Sequence, residues 1–245
     1  RPDHFRDIAR KLINSDFQMC THAIGDSGNR EILKIYAAAL TGKNDRRWRI
    51  EHAQVVDVHD FDWFGKFGVF PSVQPTHAVS DQRWAKDRLG EDRMNGAYAY
   101  KSLLKSFGML AIGTDFPVEL TNPFLTIHAA VNRKDKYNFP SKGFYPNESI
   151  SLHECLKGMT IWAAKANRME KEVGSLEKGK KADFVKSDKI FNYLNYFGIY
   201  HREIYSCFSA IKNNLMKACK YYDLNYDKIN LILTFEPNIQ FKYAR

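Results

Sequence analysis

Five side chains able to bind a metal or move a proton follow short apolar runs. His22 lies in M-C-T-H-A-I-G-D and His52 in W-R-I-E-H-A-Q. Gln74 and His77 lie in P-S-V-Q-P-T-H-A, and Asp115 in L-A-I-G-T-D-F-P-V-E. Neutral imidazole is a good ligand for Zn²⁺ and similar ions, and a carboxylate oxygen can complete such a site. A bound ion of this kind lowers the pKa of its water to about 7. A carboxylate beside that water can take its proton and later deliver it to a leaving amine.

Residue type alone decides little. A single histidine at a strand end is ordinarily a hydrogen-bonded structural residue, and a single aspartate there is ordinarily a turn or cap residue. Spacing adds the second argument. His22 and His52 are 30 residues apart, and His52 and Asp115 are 63 apart. A strand–helix unit of a parallel barrel takes about 31 residues. The three therefore fall one and two units apart, at strand ends that share one rim. On this spacing His22, His52 and Asp115 are either three structural residues or the ligands of one metal site. Gln74 and His77, just past the third strand, are expected to touch substrate.

The elements that would position them alternate between two periods. Phe5, Ile8, Ala9 and Leu12 share one helical face. Strands are expected over residues 17–23, 48–54, 69–74 and 109–114. Helices are expected over 27–40, with Asp26 as cap, and over 57–66. A further helix over 92–107 would be closed by Gly108. Pro123 opens another at its first turn, and Ser151 with Glu154 forms a capping box for a helix through Ala164. Such alternation predicts an α/β fold with a parallel sheet. Four units amount to half of an eight-stranded (β/α)8 TIM barrel. Cys20, inside an apolar run, reads as a buried small hydrophobe.

At these motifs the sequence resembles the amidohydrolase superfamily, in the subgroup of YtcJ-like enzymes and N-substituted formamide deformylases. T-H-A-I-G-D, R-W-R-I-E-H-A-Q, P-S-V-Q-P-T-H-A, G-T-D-F-P-V-E, M-T-I-W-A-A and G-S-L-E-K-G-K-K-A-D-F-V occur in the family's order. The resemblance implies a metal-dependent hydrolase of non-peptide C–N bonds on a barrel joined to a small β-sandwich, with a small-molecule amide as substrate. It makes His22 and His52 the strand-five and strand-six ligands. Asp115 becomes the strand-eight ligand and general base of a binuclear, Zn²⁺-type centre. The family's first-strand His-x-His pair and bridging carboxylated Lys have no match, so strands one to four are expected to precede Arg1. A single-metal barrel deaminase would use the same three residues, and a non-catalytic truncated chain is the other alternative.

The expected organisation is a half-barrel over 1–165, a return into the sandwich over 166–190, and an atypical tail over 191–245. Eight of the 13 tyrosines lie after residue 190, where an amphipathic helix is expected over 203–222. This abrupt change reads as a frameshifted or fused tail, or as a divergent extension. The formal net charge of +9 is spread along the chain with no nucleic-acid-binding motif, so it reads as a basic surface. No apolar run approaches the roughly 18 residues of a membrane span, so no membrane partner is expected. No two cysteines form a C-x-x-C pair. The sequence leaves the compartment, cytoplasm or periplasm, and the oligomeric state open.

Overall fold

The computed structural model describes residues 2–181. The expectations for residues 191–245, the helix over 203–222 included, lie outside the described residues. The chain divides into two units, Arg1–Glu170 and Lys171–Arg245.

The first unit is built on four short parallel strands in the order β1-β2-β3-β4. They are β1 (Cys20–Ala23), β2 (Arg49–His52), β3 (Phe70–Val73) and β4 (Ala111–Ile112). Each follows a helix: α1 (Pro2–Leu12), α2 (Asp26–Leu40), α3 (Phe61–Phe67) and, before β4, α7 (Tyr100–Phe107). Between β3 and α7 lie α4 (Pro75–Asp81), α5 (Ala85–Leu89) and α6 (Glu91–Met94). After β4 come α8 (Pro123–Asn132), α9 (Leu152–Met159) and α10 (Ile161–Ala166). This is the C-terminal half of a (β/α)8 barrel, as the alternation predicts.

Register sorts the strand residues onto two faces. Thr21 pairs with Ile50, and Ala23 with His52. That face is covered by helices: the Thr21 hydroxyl meets the Tyr36 hydroxyl of α2 at 2.8 Å, and Ile112 lies against Gly158 of α9. The opposite face carries Cys20 beside Arg49 and Phe70, and His22 beside Glu51 and Ser72. Its lower end is closed by α10, where Phe70, Ala111 and Ala166 pack with Phe107, Met109 and Trp162. Arg49 Nη1 donates to the Ala166 carbonyl at 2.9 Å there. Its upper end, at the strand C-termini, holds the exposed His22.

Several expectations need correction. Cys20 is exposed, because alternation puts it on the His22 face and only Thr21 and Ala23 turn toward the helices. Asp26 is the first residue of α2 rather than its cap; Gly25 occupies the cap position without a side-chain bond. The helix expected over 92–107 is broken between α6 and α7. Residues 96–98 there pair with the segment after β2 instead: Val56 N–H donates to Gly96 O at 2.9 Å, and Val55 bridges Ala97. A side chain at Gly96 would run into the Val56 carbonyl, so only glycine permits this approach. The helix after Ser151 breaks at Thr160. The strands are shorter than expected, and β4 ends three residues before Asp115.

Other local expectations hold. Ser151 and Glu154 form both bonds of the capping box, Pro123 opens α8, and Gly108 closes α7 at a φ of 89°. In the second unit the described residues form a turn segment. Lys181 N–H donates to Glu172 O at 2.8 Å, and Lys180 Nζ to Ser175 Oγ at 2.6 Å.

Candidate functional site

His22 is the penultimate residue of β1, on the face that helices leave uncovered. His52 ends β2 one register position farther along, since His22 pairs with Glu51. Regular alternation would send His52 to the helix-covered face. The backbone prevents this: His52 and Ala53 adopt left-handed φ values of 78° and 42°. This break in the strand leaves the two imidazoles edge to face, with ring centroids 4.5 Å apart. Non-glycine residues rarely accept such φ values, and where they do the strain often marks a functional site.

The loops that carry the pair are stitched together. Asn29 of α2 is buried, and its Nδ2 lies 3.1 Å from Ala23 O and 3.0 Å from Val55 O, one on each side. Val55 N–H donates to Ile24 O at 2.9 Å. The ends of β1 and β2 therefore move as one piece.

His52 Nδ1 lies 2.9 Å from Gln74 Oε1. A carboxamide oxygen only accepts, so Nδ1 carries the ring proton and Nε2 keeps its lone pair. This is the arrangement of a metal-binding histidine, whose second nitrogen is held by an outer partner. Gln74 is itself fixed, because Tyr100 donates its hydroxyl hydrogen to the Gln74 carbonyl at 3.1 Å. Tyr100 lies under the buried guanidinium of Arg133, 4.9 Å from the ring centroid.

His77, on α4, stacks on His52 with centroids 5.8 Å apart and planes at 22°. Its Nε2 is buried and has no hydrogen-bond partner. Burial lowers its pKa below the ordinary imidazole value, while the charge of Glu119 acts the other way. At neutral pH the ring is therefore uncharged. A network tethers α4 from behind: Tyr98 donates to Asp81 Oδ2 at 2.7 Å, and Gln54 Nε2 to the same oxygen at 3.1 Å. Burial raises the Asp81 pKa, against these bonds.

Asp115 is exposed on the loop after β4, with φ at 55°. Its charge reaches His77. Among the described residues, no group of three or more His, Cys, Asp or Glu side chains is gathered closely enough to hold a metal ion. The structure thus brings His22, His52, Gln74 and His77 together and leaves Asp115 outside that cluster. Asn29, Gln54, Asp81, Tyr98 and Arg133 were missed in the sequence. A buried asparagine inside a helix was the one available sign.

The chain matches the Amidohydrolase family over residues 1–197. It belongs to that family. Protein LONG AFTER FAR-RED 3 of Arabidopsis thaliana is 38% identical over 190 residues, covering 75% of this chain and 32% of that protein. Putative amidohydrolase YtcJ of Bacillus subtilis (strain 168) is 32% identical over 177 residues, covering 72% of this chain and 33% of that protein. The crystal structure of an uncharacterized metal-dependent hydrolase from Pyrococcus horikoshii OT3 superposes with a TM-score of 0.64 at 29% identity. It covers 74% of this chain and 36% of that one. The chain spans about a third of the length of the curated relatives it matches.

Proposed function

We propose that this chain supplies the C-terminal, metal-facing half of a hydrolase that cleaves non-peptide amide C–N bonds. The observation that carries the reading is the His22–His52 pair, with the Gln74 bond leaving the lone pair of His52 on Nε2. The donor set fits a divalent ion: two imidazoles at the open rim, beside a third whose buried Nε2 is unpartnered. Zn²⁺ suits imidazole and carboxylate donors best among the common ions. A catalytic Zn²⁺ normally has three protein ligands, so two histidines form part of a shell. The family resemblance assigns a bridging carboxylated Lys to this ion and to a second one, which Asp115 would hold with a His-x-His pair.

A bound metal supplies a water made acidic enough to attack at neutral pH. The chain's own residues do the remainder. His22 and His52 hold the ion, and Gln74 keeps His52 in the binding tautomer. His77 stacks on His52 as an uncharged ring that backs the site. Asp115 carries a carboxylate with no ion pair or side-chain hydrogen bond among the described residues, so it is open to take a proton and return it to the amine. The expected substrate is a small molecule. No helix among the described residues is long and apolar enough to cross a membrane.

Hydrolysis of N-formyl and N-acyl amines by the whole gene product, with and without added Zn²⁺, tests the reading. Turnover should require the metal and fall at least 100-fold in Asp115→Asn. Metal-independent turnover, or turnover unchanged in that variant, would count against it.

A further inference from the structure

Arg133, at the C-terminal end of α8, is held where a charged residue is disfavoured. It is fully buried, and its backbone is left-handed at a φ of 56°, which non-glycine residues rarely accept. Burial disfavours the charged form and lowers its pKa. Nη1 and Nη2 have no hydrogen-bond partner among the described residues. Glu148, whose charge reaches the guanidinium, has its two oxygens taken by the N–H and the hydroxyl of Ser102. An apolar side chain of similar length would pack here without a buried charge. A residue kept against both strain and desolvation points to a role beyond packing.

What the guanidinium meets is the face of Tyr100, 4.9 Å from the ring centroid, with Phe144 at 6.0 Å. It is fixed there. Nε donates to Phe144 O at 2.8 Å, and the Phe144 N–H donates back to Arg133 O at 2.7 Å. Tyr100 in turn donates its hydroxyl hydrogen to Gln74 O at 3.1 Å. Burial raises the Tyr100 pKa, and the Arg133 charge acts against it. A cation beside a phenol makes its O–H the stronger donor.

Gln74 is the junction. Its carbonyl also accepts the His77 N–H at 3.0 Å, and its side-chain oxygen lies 2.9 Å from Nδ1 of His52. It occupies the cap position of α4, the helix that carries His77. One residue thus bears on both histidines, and Tyr100 holds it from behind.

We propose that Arg133 is a positioning residue for the candidate metal centre: through Tyr100 and Gln74 it holds His52 in the tautomer that keeps a lone pair on Nε2. The use of that tautomer rests on the metal reading above, whereas the coupling between these residues does not.

Nitrogen NMR of the histidine rings in the metal-free full chain reads the tautomer, with His52→Gln assigning the signals. The parent should show one form of His52, protonated at Nδ1. Tyr100→Phe keeps the ring and removes the hydroxyl, and Gln74 O still has the His77 N–H. Arg133→Met keeps the apolar stem and removes the charge. In both, the second His52 tautomer should appear, and zinc affinity should fall about tenfold. Arg133→Lys, which keeps a cation, should recover part of each effect. His128, on α8 itself, is the control, and its ring signals should stay as in the parent. An unchanged His52 tautomer in either variant would overturn the proposal. So would a change that His128 shares, which marks general loosening. A parent that binds no zinc removes the metal reading alone, because the tautomer is read without metal.

Discussion

The side-chain oxygen of Gln74 lies 2.9 Å from Nδ1 of His52, and that one contact decides which nitrogen of His52 carries the proton and which keeps a lone pair. It changes the role expected for Gln74: the side chain that was expected at the substrate is turned to a histidine. Removing the acceptor leaves His52 free to change tautomer and to rotate. Gln74→Leu should therefore weaken Zn²⁺ binding by about 10- to 100-fold, the usual effect of losing an outer partner. Gln74→Glu, which keeps the acceptor, should bind at least as well as the parent. Competition against a chelating dye reads both, and unchanged affinity in Gln74→Leu would deny Gln74 this role.

Asn29 holds the loops that bear His22 and His52. In Asn29→Leu the carbonyls of Ala23 and Val55 would lose a buried donor, at a cost of about 1–3 kcal/mol. Thermal unfolding should shift down by several degrees, and zinc affinity should fall as well because the two ring positions loosen. A loss of stability with no loss of affinity would show that the histidines are placed by other contacts.

How far the sequence foretold this arrangement varies with the kind of signal. Strand-end histidines are legible because residue type and spacing are local properties of the text. The four strands and their order were legible for the same reason. The approach of His52 to His22 was not, since it depends on left-handed backbone at two non-glycine residues that propensity disfavours. Asn29, Tyr98 and Asp81 were hidden because their partners are 4 to 44 residues away and are chosen by folding. The break between α6 and α7 was hidden likewise: Gly96 reads as a tolerated helix residue until Val56 is placed against it. Cys20 was misread because an apolar run was taken as buried on both faces, whereas only the Thr21 and Ala23 face of β1 is covered by helices.

His128 gives an acid-sensitive element in α8. It is buried, with Nε2 3.1 Å from the Asp135 carbonyl and Nδ1 2.9 Å from Asn132 Nδ2. The first contact requires Nε2–H and the second a lone pair on Nδ1, so the neutral ring fits. Burial lowers its pKa from 6.5 to about 4. A histidine depressed in the folded state contributes stability that is complete above the unfolded value of 6.5 and is lost as pH falls toward 4. The loss is on the order of 3 kcal/mol. Melting temperatures across this range should fall more steeply for the parent than for His128→Gln. Parallel curves would show that other groups govern the acid response.

The central claim is that His22 and His52 share one divalent ion, and X-ray absorption at the zinc edge of the loaded chain reads it directly. The account predicts imidazole nitrogens in the first shell at about 2.0–2.1 Å, lost together with tight binding in a His22→Ala, His52→Ala double variant. The same first shell and the same zinc content in parent and double variant would contradict it.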